Sequence, residues 1–171
     1  EDRLDDINTL GFRGEALASI GSIARLTLTS REQGSGHALS LSVEGGQKSD
    51  IGPAALNNGT IIDVRDIFFA TPARLKFLKT AGTETRYIKD ALNRLALCNP
   101  QVSFHMTSDG RSVMDYPATG ALDDANALPT RAAQVIGRDF MDNSMPLMLG
   151  DKQVRVTGIA SLPTFNKPNS R

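Results

Sequence analysis

The stretch Thr9-Leu-Gly-Phe-Arg-Gly-Glu-Ala-Leu-Ala-Ser-Ile20 holds the residue types in this chain best suited to chemistry. Gly11 and Gly14 fall in a loop, and Ala16, Leu17, Ile20 and Ile23 follow at helical spacing. A loop that feeds straight into a helix presents the unpaired N–H groups of the first turn and the positive end of the helix dipole. Glycines let the backbone approach a ligand closely, so the arrangement suits phosphate oxygens. No G-x-x-x-x-G-K-[ST] string occurs, which excludes a P-loop. Taken alone, two glycines ahead of a helix are better read as an ordinary helix-entry turn.

Within that stretch Arg13 can screen phosphate charge or hold the loop closed. Glu15 is a poor general base, because a carboxylate in the first helical turn complements the dipole and is repelled by a triphosphate. Its side chain is expected to bond loop N–H groups or Arg13. Thr60 opens a β-branched stretch, which fits strand packing as well as a contact toward a base. Arg74, Lys76 and Lys79 read as a solvated face rather than a DNA contact, since the 19 Lys and Arg balance the 19 Asp and Glu. His37 and His105 lie far apart and beside no cysteine, so no zinc spacing exists. Cys98 is expected to be buried at a helix end. No catalytic or metal-ligating residue is identified within the chain.

The elements that must position this loop read as α+β, an antiparallel-rich sheet with helices on one side. The helix runs from Glu15 to about Ile23. Arg25 to Ser30 and His37 to Glu44 alternate as strands around a turn at Gln33-Gly-Ser-Gly36, predicting a hairpin. Thr60 to Asp66 is a third strand. Thr71-Pro72 opens a short helix through Lys79, Gly82-Thr83 punctuates, and a longer helix spans Glu84 to Cys98. Val102, Phe104 and Met106 alternate up to Ser108-Asp109-Gly110, a type I′ turn signal, and Arg111 to Tyr116 returns. Pro117 to Leu128 has the composition of a linker. Beyond it Pro129 and Gly137 bracket a helix, and Leu147 to Leu149 with Gln153 to Ala160 predict a last hairpin. The apolar faces at Leu26, Leu28, Ile62, Val64 and Phe104 are expected to lack part of their cover.

At 171 residues there is room for one domain and part of another. The single cysteine forbids an internal disulfide and suits a reducing compartment. No apolar run approaches a membrane span, and the charged start carries no signal-peptide pattern. Both ends read as cuts in a longer chain, since Glu1 runs almost at once into the glycine motif.

Residues 11 to 20, Gly-Phe-Arg-Gly-Glu-Ala-Leu-Ala-Ser-Ile, resemble the signature of the MutL family of DNA mismatch-repair ATPases. A second block, Gly59-Thr60 and then Asp63-Val-Arg-Asp-Ile-Phe-Phe-Ala-Thr-Pro-Ala-Arg-Leu-Lys-Phe-Leu78, is similar to that family's later strand and helix, with Ala70 standing where many members have asparagine. The resemblance implies a partial Bergerat-type α/β sandwich of the gyrase, chaperone, histidine-kinase and MutL (GHKL) superfamily over residues 1–124. The start of a ribosomal-protein-like second domain would follow over 125–171. It implies that Gly11, Phe12, Arg13, Gly14, Glu15, Ala16 and Leu17 close over the phosphates of ATP, and that Thr60 lies near the adenine. The family's general-base glutamate, its magnesium-binding asparagine and its adenine aspartate would lie ahead of Glu1, and its phosphate-reaching lysine beyond Arg171. The Mg ion would therefore be held outside this chain, which alone is expected to turn over no ATP. Implied partners are a second copy of the parent, the mismatch-recognition protein MutS, and mismatched DNA through the parent, in the cytoplasm and with no membrane. The alternative is a non-catalytic structural or interaction module of the same superfamily.

Overall fold

The computed structural model describes residues 14–121, 123–150 and 154–165. Contacts divide the chain into two compact units, Glu1–Leu78 and Lys79–Arg171.

The first unit holds helix α1 (Ala16–Ile23) and strands β1 (Arg25–Arg31), β2 (Ala38–Glu44), β3 (Gln47–Lys48), β4 (Gly52–Ala54) and β5 (Gly59–Arg65), then a 3-10 helix at Pro72–Phe77. The sheet runs β3-β2-β1-β5, with β4 also pairing β2, and every pairing is antiparallel. The expected hairpin and third strand are present. The short strands β3 and β4 were not legible, because two or three residues cannot show a period. The turn before the 3-10 helix has positive φ at Asp66 (50°) and Phe68 (67°), unusual for residues bearing a Cβ. Arg25 ties that turn down, 3.1 Å from Asp66 and 4.8 Å above the Phe69 ring.

The register makes the sheet two-faced. Leu26 lies opposite Val43 and Val64, and Leu28 opposite Leu41 and Ile62, so one face is aliphatic across three strands. On the other face Thr27 pairs with Ser42 and Thr29 with Ser40, each hydroxyl pair 3.1 Å apart, beside Arg25–Glu44 and Asp63–Arg65. Helix α1 covers one end of the aliphatic face, leaving Leu26 3% and Val43 8% exposed. Val64, beside Leu26 on β5, keeps 41% of its surface, and farther along Leu39 and Ile62 keep 46% and 48%. Cover is thus missing at Ile62 and Val64 as expected, while Leu26 is buried because α1 folds back over the strand that follows it.

The second unit contains α2 (Ala81–Cys98), β6 (Phe104–Ser108), β7 (Arg111–Tyr116), α3 (Ala127–Val135), α4 (Arg138–Asp142), β8 (Ser144–Gly150) and β9 (Arg155–Ser161). Helix α2 begins before the predicted start at Glu84 and runs through Gly82. Thr80 caps it by accepting from the N–H of Thr83, and Glu84 accepts from the N–H of Lys79 at 2.7 Å. Such a cap contributes about 1 kcal/mol, enough to offset one helical glycine. Cys98 is exposed at the helix end rather than buried. The β6–β7 hairpin turns at Asp109 (φ 50°) and Gly110 (φ 74°), the two left-handed residues a type I′ turn requires. Lys89 donates to Val113 O at 3.0 Å, and the Tyr116 hydroxyl to Asn93 Oδ1 at 3.1 Å, holding β7 on α2. Helix α3 starts two residues ahead of Pro129. The hairpin β8–β9 pairs Ser144 with Ser161 through Gly150 with Arg155.

Candidate functional site

Gly11, Phe12 and Arg13 lie outside the described residues. Gly14 stands just before α1 with φ +66°, and nothing lies within 4 Å of where its Cβ would be. The glycine is therefore required by backbone conformation, not by crowding. Glu15 is the N-cap of α1, and no side chain caps the helix. The first intrahelical bond runs from Ser19 N–H to Glu15 O, so the N–H groups of Ala16, Leu17 and Ala18 have no acceptor within the helix. Gly14, Glu15, Ala16 and Leu17 are all exposed. The result is a cluster of unengaged backbone donors at the positive end of a helix, behind a left-handed glycine.

What fixes α1 against the sheet is Gly21. A Cβ there would meet Val43 Cγ1 at 2.8 Å and Cβ at 3.0 Å, so helix and strand touch backbone to side chain. Gly21 O also accepts from Gly46 N–H at 2.9 Å, and Ala24 N–H donates to Ile20 O at 3.0 Å where the helix ends. The sequence reading passed over Gly21. Its only signal is a glycine inside an otherwise good helical pattern, which often marks close packing.

Thr60 sits in β5. It pairs with Ser30, five residues beyond the start of β1 at Arg25, roughly 17 Å at strand rise. Its hydroxyl is exposed and lies 2.8 Å from Ser30 Oγ. Glu15 to Leu17 are thus grouped at one helix head, with Thr60 near the far end of the aliphatic face. Among the described residues no group of three His, Cys, Asp or Glu side chains could hold a metal ion. Asp63 on the polar face is held below the usual aspartate value by its hydrogen bond with Arg65, whose positive charge reinforces the effect against slight desolvation. No helix of the described residues is long and apolar enough to cross a membrane.

The chain is 53% identical over 169 residues to the DNA mismatch repair protein MutL of Rhizobium rhizogenes, covering 99% of this chain and 27% of that protein. It is 52% identical over 167 residues to the MutL of Agrobacterium fabrum, covering 98% of this chain and 27% of the relative. To the MutL of Paramagnetospirillum magneticum it is 52% identical over 170 residues, with 99% and 28% covered. The chain therefore spans only 27% to 28% of the length of these curated relatives. Among solved structures it is similar to the Aquifex aeolicus MutL ATPase domain complexed with ADP, at TM-score 0.67 and 31% identity, over 79% of this chain and 52% of that one. The N-terminal domain of a DNA repair protein shares the fold at TM-score 0.65 and 22% identity, over 94% of this chain and 51% of that one. No protein-family model matches the chain.

Proposed function

We propose, for a chain that belongs to the MutL family of DNA mismatch repair proteins and corresponds to a segment of its ATPase region, that residues 11 to 17 close over the phosphates of a bound nucleotide. The observation that carries this reading is the head of α1, where Gly14 at φ +66° leads into first-turn N–H groups with no intrahelical acceptor. Backbone N–H donors at a helix head suit phosphate oxygens, and their bonds to an anion, shorter and stronger than neutral ones, supply the energy that orders the loop on nucleotide. Arg13 adds a cation, and Glu15 orients the loop without acting as a base. Thr60 marks the adenine end. The Aquifex relative is described as an ATPase domain complexed with ADP, which supports a nucleotide as the ligand. The metal would be held by residues other than those described.

In the parent protein, closure of this loop on ATP pairs two N-terminal regions and couples mismatch recognition by MutS to downstream repair of DNA in the cytoplasm. Residues 1–124 complete the ATP-binding domain, and 125–171 open a second, ribosomal-protein-like domain. The test is Gly14→Val in the parent's N-terminal region. A branched side chain at positive φ is strained and crowds the oxygen atoms. Light scattering should show ATP-induced dimerisation abolished, while circular dichroism of the nucleotide-free form stays unchanged. Normal dimerisation by Gly14→Val overturns the assignment.

A further inference from the structure

A cation is buried in the second unit with no carboxylate to neutralise it. Arg131, in the middle of α3, has 0% of its surface exposed. No ion pair to it occurs among the described residues. Its guanidinium instead donates to three backbone carbonyls: Nη2 to Pro100 O at 3.0 Å and to Val102 O, and Nη1 to Tyr116 O at 3.3 Å. The same group lies 5.7 Å from the centre of the Phe104 ring. Burying a charge is costly, and the three carbonyls offset part of that cost while Nε is left without a partner among the described residues; burial draws this guanidinium below the ordinary arginine pKa, with Tyr116 opposing. Pro100 follows α2 directly, so its carbonyl lies near the negative end of that helix, which favours a cation.

The carbonyls belong to the chain just after α2 and to the end of β7, while the arginine belongs to α3. One planar fork therefore spans the start and the finish of the segment that leads from β7 into α3. A second set of bonds reinforces it. Thr119 N–H and Oγ1 lie 2.9 and 3.3 Å from Pro100 O, and Thr119 Oγ1 lies 2.8 Å from Ala127 O at the head of α3. Ala118 N–H donates to Ser103 Oγ at 2.9 Å, and Gln134 Nε2 to Pro117 O at 3.4 Å. The Pro, Gly, Ala and Asp composition of this stretch reads as a flexible linker, yet its described ends are pinned.

We propose that Arg131 and Thr119 form a clamp on Pro100 that locks α3 to the end of α2 and to β7, so that α3 moves with α2 and the β6–β7 hairpin as one body. A lysine cannot substitute, because a single ammonium cannot reach three carbonyls in the geometry of a planar fork.

The test is hydrogen–deuterium exchange on the full chain, comparing wild type with Arg131→Lys. The clamp requires the amides of Ala118 and Thr119 to exchange roughly tenfold faster in Arg131→Lys, measured relative to the β6–β7 ladder amides. Met114→Ala is the control, since Met114 is only 5% exposed in β7 and its loss lowers stability with the clamp intact. In that variant the two sets of amides should accelerate together. If Arg131→Lys fails to fold, Thr119→Val removes the hydroxyl bridge to α3 and should show the same selective acceleration. Unchanged protection of Ala118 and Thr119, or acceleration no greater than in the ladder, overturns the clamp.

Discussion

Gly21→Ala is the sharpest test of how α1 is held, because two effects of opposite sign compete there. In an isolated helix, alanine in place of glycine stabilises by about 1 kcal/mol. At this position the new methyl lies 2.8 Å from Val43 Cγ1, well inside contact distance. Overpacking a buried contact costs roughly 1–3 kcal/mol, as helix and strand must part or Val43 must leave its rotamer. The net expectation is a destabilisation of about 1 kcal/mol. Val43→Ala alone removes two methyl groups and leaves a small cavity, costing roughly 2 kcal/mol. Together the substitutions relieve each other, since the alanine methyl moves into the vacated space. The double variant should therefore be more stable than the sum of the singles by about 1–2 kcal/mol. Urea unfolding at constant m-value measures all three. A more stable Gly21→Ala protein, additive with Val43→Ala within about 0.5 kcal/mol, would refute the packing argument.

Three further outcomes are expected. Residues 1–171 alone should release no phosphate from ATP above buffer, because the family resemblance places the general base and the metal ligand ahead of Glu1; turnover that co-purifies with the chain and disappears on changing Arg13 would contradict this. Gly110→Val should destabilise by about 1–2 kcal/mol through strain at φ 74°, whereas Asp109→Asn should be neutral or better, and thermal melts of both variants decide it. The Asp63 carboxyl should titrate below its ordinary value of 3.8, and Arg65→Gln should return it upward by NMR titration. A lowered folded pKa means that the contribution is complete above the unfolded value and is lost as pH falls through the folded one. Solvent screening makes the effect on stability small, so a large loss of stability confined to that acid range would point to another group.

The sequence exposed those features whose cause is local. The β1–β2 hairpin, β5, the Asp109-Gly110 turn and the body of α2 follow from alternation, helical spacing or a left-handed turn pair. Gly14 stands at positive φ just ahead of α1, while Gly11 lies outside the described residues. What escaped depends on partners distant in sequence. Gly21 matters because Val43 is opposite, Arg131 because Pro100, Val102 and Tyr116 converge on it, and neither separation leaves a period to detect. The start of α2 was misplaced because Gly82 looked like a breaker, while the cap from Thr80 that outweighs it is a single residue. Burial of Cys98 was inferred from residue type, and the structure exposes it at the helix end.

The paired hydroxyls on the second face of the sheet set a limit on growth. Thr27 and Ser42, and Thr29 and Ser40, already satisfy each other, and Arg25, Glu44, Asp63 and Arg65 are spread beside them. A helical layer laid there would strip water from those charges and hydroxyls and gain little apolar contact in return beyond Ile61, which lies opposite Thr29. Added polypeptide can accrete on the aliphatic side or along the strand edges, but not on this side.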